Sequence, residues 1–357
     1  MRWERQRVVG GEPAAAPVLP GLPGLVRSVR TPEFAGVVFH EVAAKSALNR
    51  VPDGAGFSFR WTINPYRGCS HACTYCFARN SHTYLDLDPG RDFDGQVVVK
   101  VNVAEVLARE LNSPRWRREH VALGTNTDPY QRAEGRYRLM PGVISALAES
   151  GTPFSILTKG TLLARDLPLL QQAATRVPVD LGVSIALLDR RLQRSLEPGT
   201  PGPQARLDLV RRIREAGLPC EVFVAPVLPW LTDSPSALDE LFGRIAAAGV
   251  TRVVVLPLRL RPGSREWFMS WLRREHPGLV PGYERLYRGG ANADPRYRDW
   301  LTRRVAPLLA RHGLTASRRS RETASGAGTP QGRPAEGDGA NTVQRRARSG
   351  AVQLRLL

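Results

Sequence analysis

Apolar runs typical of buried β-strands alternate with helical patterns between residues 57 and 257. A chain that alternates in this way builds βα units, and such units form a parallel sheet covered by helices. Ligands of such sheets bind at the C-terminal ends of the strands. The pattern therefore predicts an α/β core over residues 55–257, with six strands rather than eight. The expected strands are Phe57–Ile63, Val121–Gly124, Phe154–Thr158, Val179–Ile185, Cys220–Ala225 and Arg252–Leu256.

Helical patterns fall between these strands, at Val103–Leu111 and Pro141–Glu149. A further helix is expected to begin at Pro235, after Ser234, and to stop at Gly249. Serine and proline favour helix starts and glycine favours helix ends, so both boundaries have a physical basis.

The two ends of the chain differ in composition from this core. The first thirty residues are rich in Pro and Arg and have no sustained period, and residues 324–340 are dominated by Gly, Pro, Ala and polar side chains. Such segments bury too little apolar surface to order themselves. We therefore expect a disordered basic N-terminus over residues 1–30, a helical C-terminal extension over 258–316 and a disordered basic tail over 317–357.

Three of the four cysteines lie within eight residues, at Cys69, Cys73 and Cys76. A structural zinc ion and an ordinary electron-transfer iron–sulfur cluster each take four protein ligands, so a triad indicates a cluster with one iron left open. A zinc site completed by His71 remains an alternative. A disulfide framework fits less well, because a chain of this length does not need such cross-links. The fourth thiol, Cys220, opens the fifth strand and is expected to be a small buried residue.

The Cys-x3-Cys-x2-Cys spacing, with the aromatic Tyr75 before the last cysteine, resembles the radical S-adenosylmethionine enzymes. The resemblance implies a [4Fe-4S] cluster on these three cysteines and S-adenosylmethionine on its open iron. It also implies reductive cleavage of that cofactor to a 5′-deoxyadenosyl radical, which abstracts hydrogen from a substrate. Flavodoxin or ferredoxin is the reductant that the resemblance implies.

A polar run, Thr125-Asn-Thr-Asp128, directly follows the second predicted strand. Asn, Asp and Pro are common turn formers, so a capped turn is one interpretation. In radical S-adenosylmethionine enzymes this segment holds the amino group of the cofactor. The resemblance therefore makes Asn126, Thr127 and Asp128 candidate cofactor ligands, although the usual Gly-Gly-Glu type sequence is absent here.

Lys159 follows the third strand and is one of only three lysines, with Lys45 and Lys100. Where arginine serves almost everywhere as the cation, a retained lysine suits the capture of a single carboxylate by a compact charge. An exposed residue that ends a strand is the alternative. Ser184, near the end of the fourth strand, is a candidate for contacting the ribose hydroxyls of the cofactor.

Three further segments narrow the resemblance: Asn64-Pro-Tyr-Arg-Gly-Cys69, Thr127-Asp-Pro-Tyr-Gln131, and Ile156-Leu-Thr-Lys-Gly160 followed by Arg165-Asp166. Together they resemble the radical S-adenosylmethionine proteins related to spore photoproduct lyase, described as DNA repair photolyase-like. That branch implies a partial (βα)6 TIM-like barrel.

The substrate chemistry of spore photoproduct lyases is not carried over with the fold. Those enzymes have a hydrogen-donating cysteine after the second strand, and residues 120–127 contain none. They also tend to have a tyrosine directly after the last cluster cysteine, where this chain has Phe77. We therefore expect the same cofactors but not the thymine-dimer reaction.

The formal net charge of +18 favours an anionic partner such as DNA or RNA, although the two tails carry part of it. Aromatic residues among the arginines of residues 258–316 could stack on bases or simply pack the helices. They are Trp267, Trp271, Tyr283, Tyr287, Tyr297 and Trp300. The alternative to an enzyme is a non-enzymatic nucleic-acid-binding protein that contains zinc or an iron–sulfur cluster.

No run of about 18 apolar residues is present, and the N-terminal residues lack the apolar segment of a signal peptide. The composition therefore predicts a cytoplasmic protein with no membrane partner. The substrate, the product and the hydrogen-atom donor cannot be inferred from residue types.

Overall fold

The structure is a computed structural model that describes residues 14–15, 22–52 and 58–317. Within these ranges the strands form two sheets, one of eight strands and one of five. The strands are β1 (Ala14–Ala15), β2 (Leu25–Arg30), β3 (Val38–Val42), β4 (Leu48–Arg50), β5 (Trp61–Ile63), β6 (Tyr66–Arg67), β7 (Gln96–Lys100), β8 (Val121–Leu123), β9 (Phe154–Thr158), β10 (Val179–Ser184), β11 (Cys220–Val227), β12 (Arg252–Pro257) and β13 (Thr315–Ala316).

The α-helices lie mostly between the strands of the larger sheet. They are α1 (Arg91–Gly95), α2 (Val103–Leu111), α3 (Ala133–Tyr137), α4 (Met140–Glu149), α5 (Leu167–Ala174), α6 (Arg190–Leu196), α7 (Pro203–Glu215), α8 (Pro235–Ala247), α9 (Ser264–Glu275), α10 (Val280–Leu286) and α11 (Pro295–Arg311). Short 3-10 helices are Pro32–Phe34, Phe77–Leu85, Thr161–Asp166 and Pro277–Leu279.

The eight-stranded sheet has the order β13-β12-β11-β10-β9-β8-β5-β4. Its six central strands follow one another in chain order and are all parallel, which confirms the predicted α/β class. Two edge strands were not expected: β4 pairs antiparallel with β5, and β13 pairs parallel with β12. The first strand is shorter than predicted, and Phe57 lies outside the described residues.

Alternate residues of the parallel strands contact the helices and form the main core. On α2 the buried residues are Val103, Val106, Leu107 and Leu111, which share one face because a helix turns every 3.6 residues. These side chains pack in the same core cluster as Ile63 of β5. Because side chains alternate along a strand, Asn64, Lys159 and Ser184 fall on the opposite face of the sheet, at its C-terminal edge.

Helix α8 shows how the sequence sets the boundaries of these elements. It begins at Pro235 after the N-cap Ser234, whose hydroxyl accepts the N–H of Ala237 at 3.2 Å. It ends before Gly249, which has a φ of +83° and can adopt this left-handed conformation without a Cβ clash. The predicted boundaries of this helix are confirmed.

The five-stranded sheet, of order β1-β2-β3-β7-β6, was not anticipated. The prediction that residues 1–30 are disordered is wrong for Leu25–Arg30, which form β2 and pair antiparallel with β3. Val29 and Phe39 are fully buried between the two strands and their neighbours. The stabilising partner lies beyond residue 30, so the composition of the segment alone could not reveal it. Residues 1–13, 16–21 and 318–357 of the predicted tails lie outside the described residues.

The C-terminal extension packs directly on the cysteine loop. Trp271, Tyr283 and Tyr287 are buried in one cluster with Cys73 and Tyr75. Their polar atoms are also satisfied: the indole of Trp271 and the two hydroxyls each donate a hydrogen bond of 2.8 to 2.9 Å within the fold. These three aromatic residues therefore hold the extension in place and offer no free face for stacking on bases.

Among the described residues, none of the helices combines the length and the apolar composition that crossing a lipid bilayer requires.

Candidate functional site

The three clustered cysteines lie on one short loop after β6. The N–H of Ala72 donates to the carbonyl oxygen of Cys69 at 3.1 Å, and the N–H of Cys76 donates to that of Cys73 at 3.2 Å. Ala72 has a φ of +54°, a strained value for a residue with a Cβ, which lets the chain reverse between the first two cysteines. Two consecutive tight turns therefore fold the segment that carries the three thiols.

A buried arginine bonds to the backbone of this loop. Arg79 is fully buried, and its Nε donates to the carbonyl oxygen of Cys73 at 3.0 Å. Its Nη2 donates to both carboxylate oxygens of Asp94 at 2.9 Å. The guanidinium carbon lies 5.2 Å from the ring centre of Phe93 and 5.1 Å from that of Trp267. These contacts fix the backbone between the second and third cysteines.

Gln131 and Gly199 bond to the first residues of the loop. Gln131 accepts the N–H of Ser70 at 2.8 Å through Oε1 and donates to the carbonyl oxygen of Gly68 at 3.0 Å through Nε2. Gly199 donates its N–H to the carbonyl oxygen of His71 at 3.1 Å. A Cβ on Gly199 would lie 1.9 Å from the carbonyl oxygen of Ser70. Only glycine allows this close approach of the two backbones.

Asp128 joins the cysteine loop to the end of β9. Its carboxylate accepts the N–H of Lys159 at 2.6 Å, the N–H of Tyr130 at 2.9 Å and the hydroxyl of Thr158. Nδ1 of His71 lies 3.3 Å from Oδ2 of Asp128, the oxygen that also accepts the N–H of Lys159. Burial opposes the charge, but His71 and these donors hold the pKa of Asp128 below its usual range. In this arrangement Asp128 positions its neighbours, and direct contact with a cofactor stays a prediction.

His71 itself is buried beside Asp128 and Cys69. Burial acts to lower the pKa of the imidazole, but Asp128 and Cys69 outweigh it and raise that pKa to about 9. A neutral imidazole with a free ring nitrogen is what a metal ligand requires. Ligand histidines commonly hold a carboxylate on the second ring nitrogen, as His71 holds Asp128, so a zinc site completed by His71 stays an alternative.

The rest of the polar run after β8 divides into engaged and free groups. Thr127 is buried and donates to the carbonyl oxygen of Tyr66 at 2.9 Å. Asn126 is half-buried, and no hydrogen bond to its side chain occurs within the described ranges. The buried hydroxyl of Thr125 and both polar atoms of the Asn64 amide also have no partner. Buried polar groups are normally paired, so these three side chains are available to a ligand at the strand ends.

Lys159 brings three of the predicted site residues together. Its Nζ donates to Oγ of Ser184 at 2.7 Å and lies 5.8 Å from the ring centre of Tyr75. Oε1 of Glu197 is 4.0 Å away, and the lysine side chain is 15% exposed. The interpretation of Lys159 as an exposed strand end is therefore wrong, because its ammonium points into a buried polar network.

Glu197 and Arg206 complete this network, and the sequence analysis missed both. Glu197 has no exposed surface; it accepts hydrogen bonds from the hydroxyl of Tyr75 and from Nη2 of Arg206. Arg206 also donates to the carbonyl oxygen of Ser184 at 3.0 Å. Burial opposes the charge on Glu197, but Arg206 and Lys159 lower its pKa to about 2. Two cations and one carboxylate leave an excess of one positive charge at the site.

A signal for this pair was present in the sequence. Arg206 lies on α7 at the helical spacing of Val210 and Ile213, both of which are buried. An arginine on the apolar face of a helix requires a buried acidic partner, because an unpaired buried charge is strongly unfavourable. Going back along the chain from Arg206, the first acidic residue is Glu197, which directly follows the buried Leu196.

The thiols of Cys73 and Cys76 lie within electrostatic range of Lys159. Burial raises the pKa of Cys73 well above its usual value, while Lys159 acts to lower it. Burial also raises the pKa of Cys76 to about 11, against the opposing effect of Arg79 and Lys159. Ligation by a metal removes these protons, so cluster binding and thiol deprotonation are coupled.

The residues present fit a cubane cluster with a small charged cofactor. Within residues 22–52 and 58–317, no three side chains of His, Cys, Asp or Glu converge on a single ion position. In a [4Fe-4S] cubane each thiolate ligates a different iron, so the sulfurs need not converge in that way. The excess positive charge beside Lys159 suits one carboxylate, and the unpaired groups at the strand ends suit a polar ligand.

Cys220 lies apart from this arrangement. It is the first residue of β11, at the N-terminal edge of the sheet, whereas the cysteine loop follows the C-terminal edge. It is buried, and burial raises the pKa of its thiol to about 12. It behaves as a small buried residue, as predicted.

Comparisons with known proteins identify a family and close relatives of this chain. A family model described as "Radical SAM superfamily" matches residues 63–254. "Uncharacterized protein Rv2578c" of Mycobacterium tuberculosis is 63% identical over 322 residues, which cover 89% of this chain and 95% of that protein.

Solved structures with this fold include spore photoproduct lyase. One mutant of that enzyme superposes with a TM-score of 0.59 at 16% identity, over 78% of this chain and 81% of the other. A second mutant, with bound AdoMet and dinucleoside spore photoproduct, gives a TM-score of 0.57 at 16% identity, over 74% of this chain and 78% of the other. At this level of identity the likeness concerns the fold alone.

Proposed function

Because the chain belongs to the radical SAM superfamily, we propose that it is an enzyme in which Cys69, Cys73 and Cys76 hold a [4Fe-4S] cluster next to a site for S-adenosylmethionine. When bound, these cofactors supply a 5′-deoxyadenosyl radical that removes a hydrogen atom from the substrate. The observation that carries the proposal is the placement of Lys159. Its ammonium lies beside Ser184, within electrostatic range of two of the three thiols.

The chain's own residues bind and orient the amino-acid part of the cofactor. Lys159 supplies the cation for the carboxylate, and Ser184 holds the lysine side chain by accepting its hydrogen bond. Glu197 and Arg206 form the buried ion pair behind them, so that one positive charge is left for the ligand. Asn126, with its free amide, is the best placed of the predicted ligands for the amino group.

Ser184 has hydrogen-bond partners within the protein. Its hydroxyl accepts from Lys159 and donates to the carbonyl oxygen of Ala225 at 3.3 Å. Both contacts are made within the protein, so Ser184 serves first to orient the lysine. Contact with the ribose hydroxyls stays a prediction. Tyr75, whose hydroxyl donates to Glu197, contributes its ring as one wall of the same site.

We propose a nucleic acid or another anionic macromolecule as the substrate. This part rests on the net charge of +18. Phe77, directly after the last cluster cysteine, is 44% exposed, and the guanidinium of Arg261 lies 5.6 Å from its ring centre. A flavodoxin or ferredoxin would supply the electron, and a cytoplasmic location suits such a reductant.

Anaerobic reconstitution tests this proposal. The protein is loaded with iron and sulfide and reduced with dithionite in the presence of S-adenosylmethionine; iron, zinc and 5′-deoxyadenosine are then quantified. We expect about four iron ions per chain and cofactor-dependent 5′-deoxyadenosine. Both should be lost in Cys69→Ala, Cys73→Ala and Cys76→Ala and kept in Cys220→Ser, which changes a thiol at the opposite edge of the sheet.

The opposite result has a defined meaning. Stoichiometric zinc, with no cluster and no cleavage of S-adenosylmethionine, would make this chain a zinc-containing binding protein. A full cluster in the Cys73→Ala protein would refute the ligand assignment but not the fold.

A further inference from the structure

A cavity of about 280 Å³ lies in the C-terminal extension, between the end of α10 and the start of α11. Three arginines line it: Arg285, Arg288 and Arg298. The first two belong to the last turn of α10 and the residues after it, and the third belongs to the first turn of α11. This cavity, which we call the arginine pocket, shares no lining residue with the cysteine site.

The three guanidinium groups of the arginine pocket differ in exposure, since Arg285 and Arg288 are exposed and Arg298 is half-buried. Within residues 22–52 and 58–317, none of the three takes part in a hydrogen bond or an ion pair, and Nε of Arg298 is both buried and unpaired. Arg274 and Arg304, which also belong to the extension, do have partners. Arg274 bonds Glu275 at 2.7 Å, and Arg304 lies 4.3 Å from the ring centre of Trp300. Three cations without a protein partner around one cavity, one of them with a buried unpaired Nε, suit an anion.

The backbone around the arginine pocket adds to its positive potential. Helix α11 is 17 residues long, and its first residue, Pro295, lines the cavity, so the positive end of the helix dipole is directed there. Asp294 also lines it, but its Oδ1 caps the helix by accepting the N–H of Arg296 at 2.8 Å. Three arginines against one carboxylate leave a net charge of +2.

The loop between the two helices leaves the arginine pocket open to a ligand. It contains Gly289 and Gly290, and a Cβ built on either would meet no atom within 4 Å. The cavity is at the lower end of the volume of ligand pockets, which run from about 300 Å³ upward. It is too small for a large cofactor but large enough for a phosphate group with part of its ester.

We propose that the arginine pocket is a binding site for a phosphate group, separate from the cysteine site. The planar guanidinium presents two parallel N–H donors that match the oxygens of a phosphate. The N-terminal end of α11, although capped by Asp294, adds positive potential at the same place. The phosphate can belong to a nucleic-acid backbone or to a small phosphate ester. The proposal does not depend on the radical chemistry, since it rests on residues outside the cysteine site.

Two matched triple variants of the full chain test this inference. The pocket variant combines Arg285→Ala, Arg288→Ala and Arg298→Ala. The control variant combines Arg273→Ala, Arg274→Ala and Arg304→Ala, which removes the same charge from the same extension outside the cavity. Circular dichroism first establishes that both are folded.

The first measurement is the anisotropy of a labelled single-stranded oligodeoxynucleotide at several salt concentrations. For single strands, each lost phosphate contact lowers the slope of log affinity against log salt by about 0.7, so three contacts give about 2. We expect that change in the pocket variant and a smaller one in the control. This outcome would assign the pocket to a nucleic-acid backbone.

The second measurement is the shift in melting temperature caused by sodium phosphate relative to sodium chloride at equal ionic strength. A shift that is present in the wild type and the control but lost in the pocket variant, with unchanged oligonucleotide binding, would assign the pocket to a small phosphate ester. If the pocket and control variants behave alike in both measurements, the proposal is wrong.

Discussion

The carboxylate of Asp128 accepts the backbone N–H of Lys159 at 2.6 Å, so a residue that follows β8 fixes the position of a residue that follows β9. The same carboxylate contacts His71 inside the cysteine loop. One side chain thus ties together the loop proposed to bind the cluster and the lysine proposed to bind the cofactor. The spacing between the cluster and the carboxylate site is therefore set by hydrogen bonds within the protein.

Lys159→Met should weaken the binding of S-adenosylmethionine while leaving the cluster intact. A hydrogen bond to a charged group contributes about 1.5–3 kcal/mol, so the dissociation constant should rise by about 10-fold to 100-fold. Equilibrium dialysis of the reconstituted protein measures this dissociation constant. The control is Lys45→Met, which changes an exposed lysine far from Lys159 in the sequence. An unchanged dissociation constant with a full iron content would exclude Lys159 as the carboxylate anchor.

Glu197→Gln should destabilise the fold by about 3–5 kcal/mol, the cost of leaving one member of a buried ion pair without its partner. Arg206 would then keep its charge in a region where neither side chain has more than 1% exposure. The double variant with Arg206→Met should recover part of the loss, because it removes the uncompensated charge. Urea unfolding measures all three proteins. A double variant no more stable than Glu197→Gln would contradict the ion-pair argument.

His82 should make the stability depend on pH. It is fully buried, and burial lowers its pKa from 6.5 to about 4. Because the folded pKa is depressed, the unfolded chain binds the proton first, and stability falls as the pH falls from 6.5 toward 4. Between pH 7.5 and 5 the loss amounts to about 2 kcal/mol, from 1.36 kcal/mol per pKa unit.

Comparing the wild type with His82→Gln isolates this contribution. Nε2 of His82 lies 2.8 Å from the carbonyl oxygen of Gln96, and a glutamine amide can replace that donor without titrating. The difference in unfolding free energy between the two proteins should change by about 2 kcal/mol over the same pH range. A constant difference would show that His82 does not titrate in this way.

Gly199→Ala should disturb the cysteine loop. The added Cβ would lie 1.9 Å from a backbone oxygen at Ser70, so one of the two segments must move. We expect a destabilisation of about 1–3 kcal/mol and a lower iron content after reconstitution. Gly278→Ala is the control, since a Cβ there meets nothing within 4 Å. An iron content equal to that of the control would show that the loop tolerates the shift.

Local patterns predicted the parallel core well. The bounds of β9 and α2 are those expected from the sequence, because each is a continuous apolar run or a regular amphipathic repeat. The cysteine spacing likewise identified the loop. In these cases the deciding information lies within one segment of chain.

The features that were missed depend on distant partners. Strand β3 contains His40 and Glu41, whose buried polar groups break the apolar pattern. Side chains from β2, β7 and α3 satisfy them. Glu197 bonds Tyr75, which is 122 residues away. No local period marks such contacts, so the second sheet and the buried ion pair became visible only in three dimensions.

The C-terminal extension packs on the cysteine loop, so its removal would change the surroundings of that loop. A chain cut after residue 257 would keep the six parallel strands but would remove Phe268, Trp271 and Tyr283 from around Cys73. Water and dioxygen would then have freer access to the loop that we propose as the cluster site. The extension, though outside the matched segment, thus forms part of the wall around the proposed cluster site.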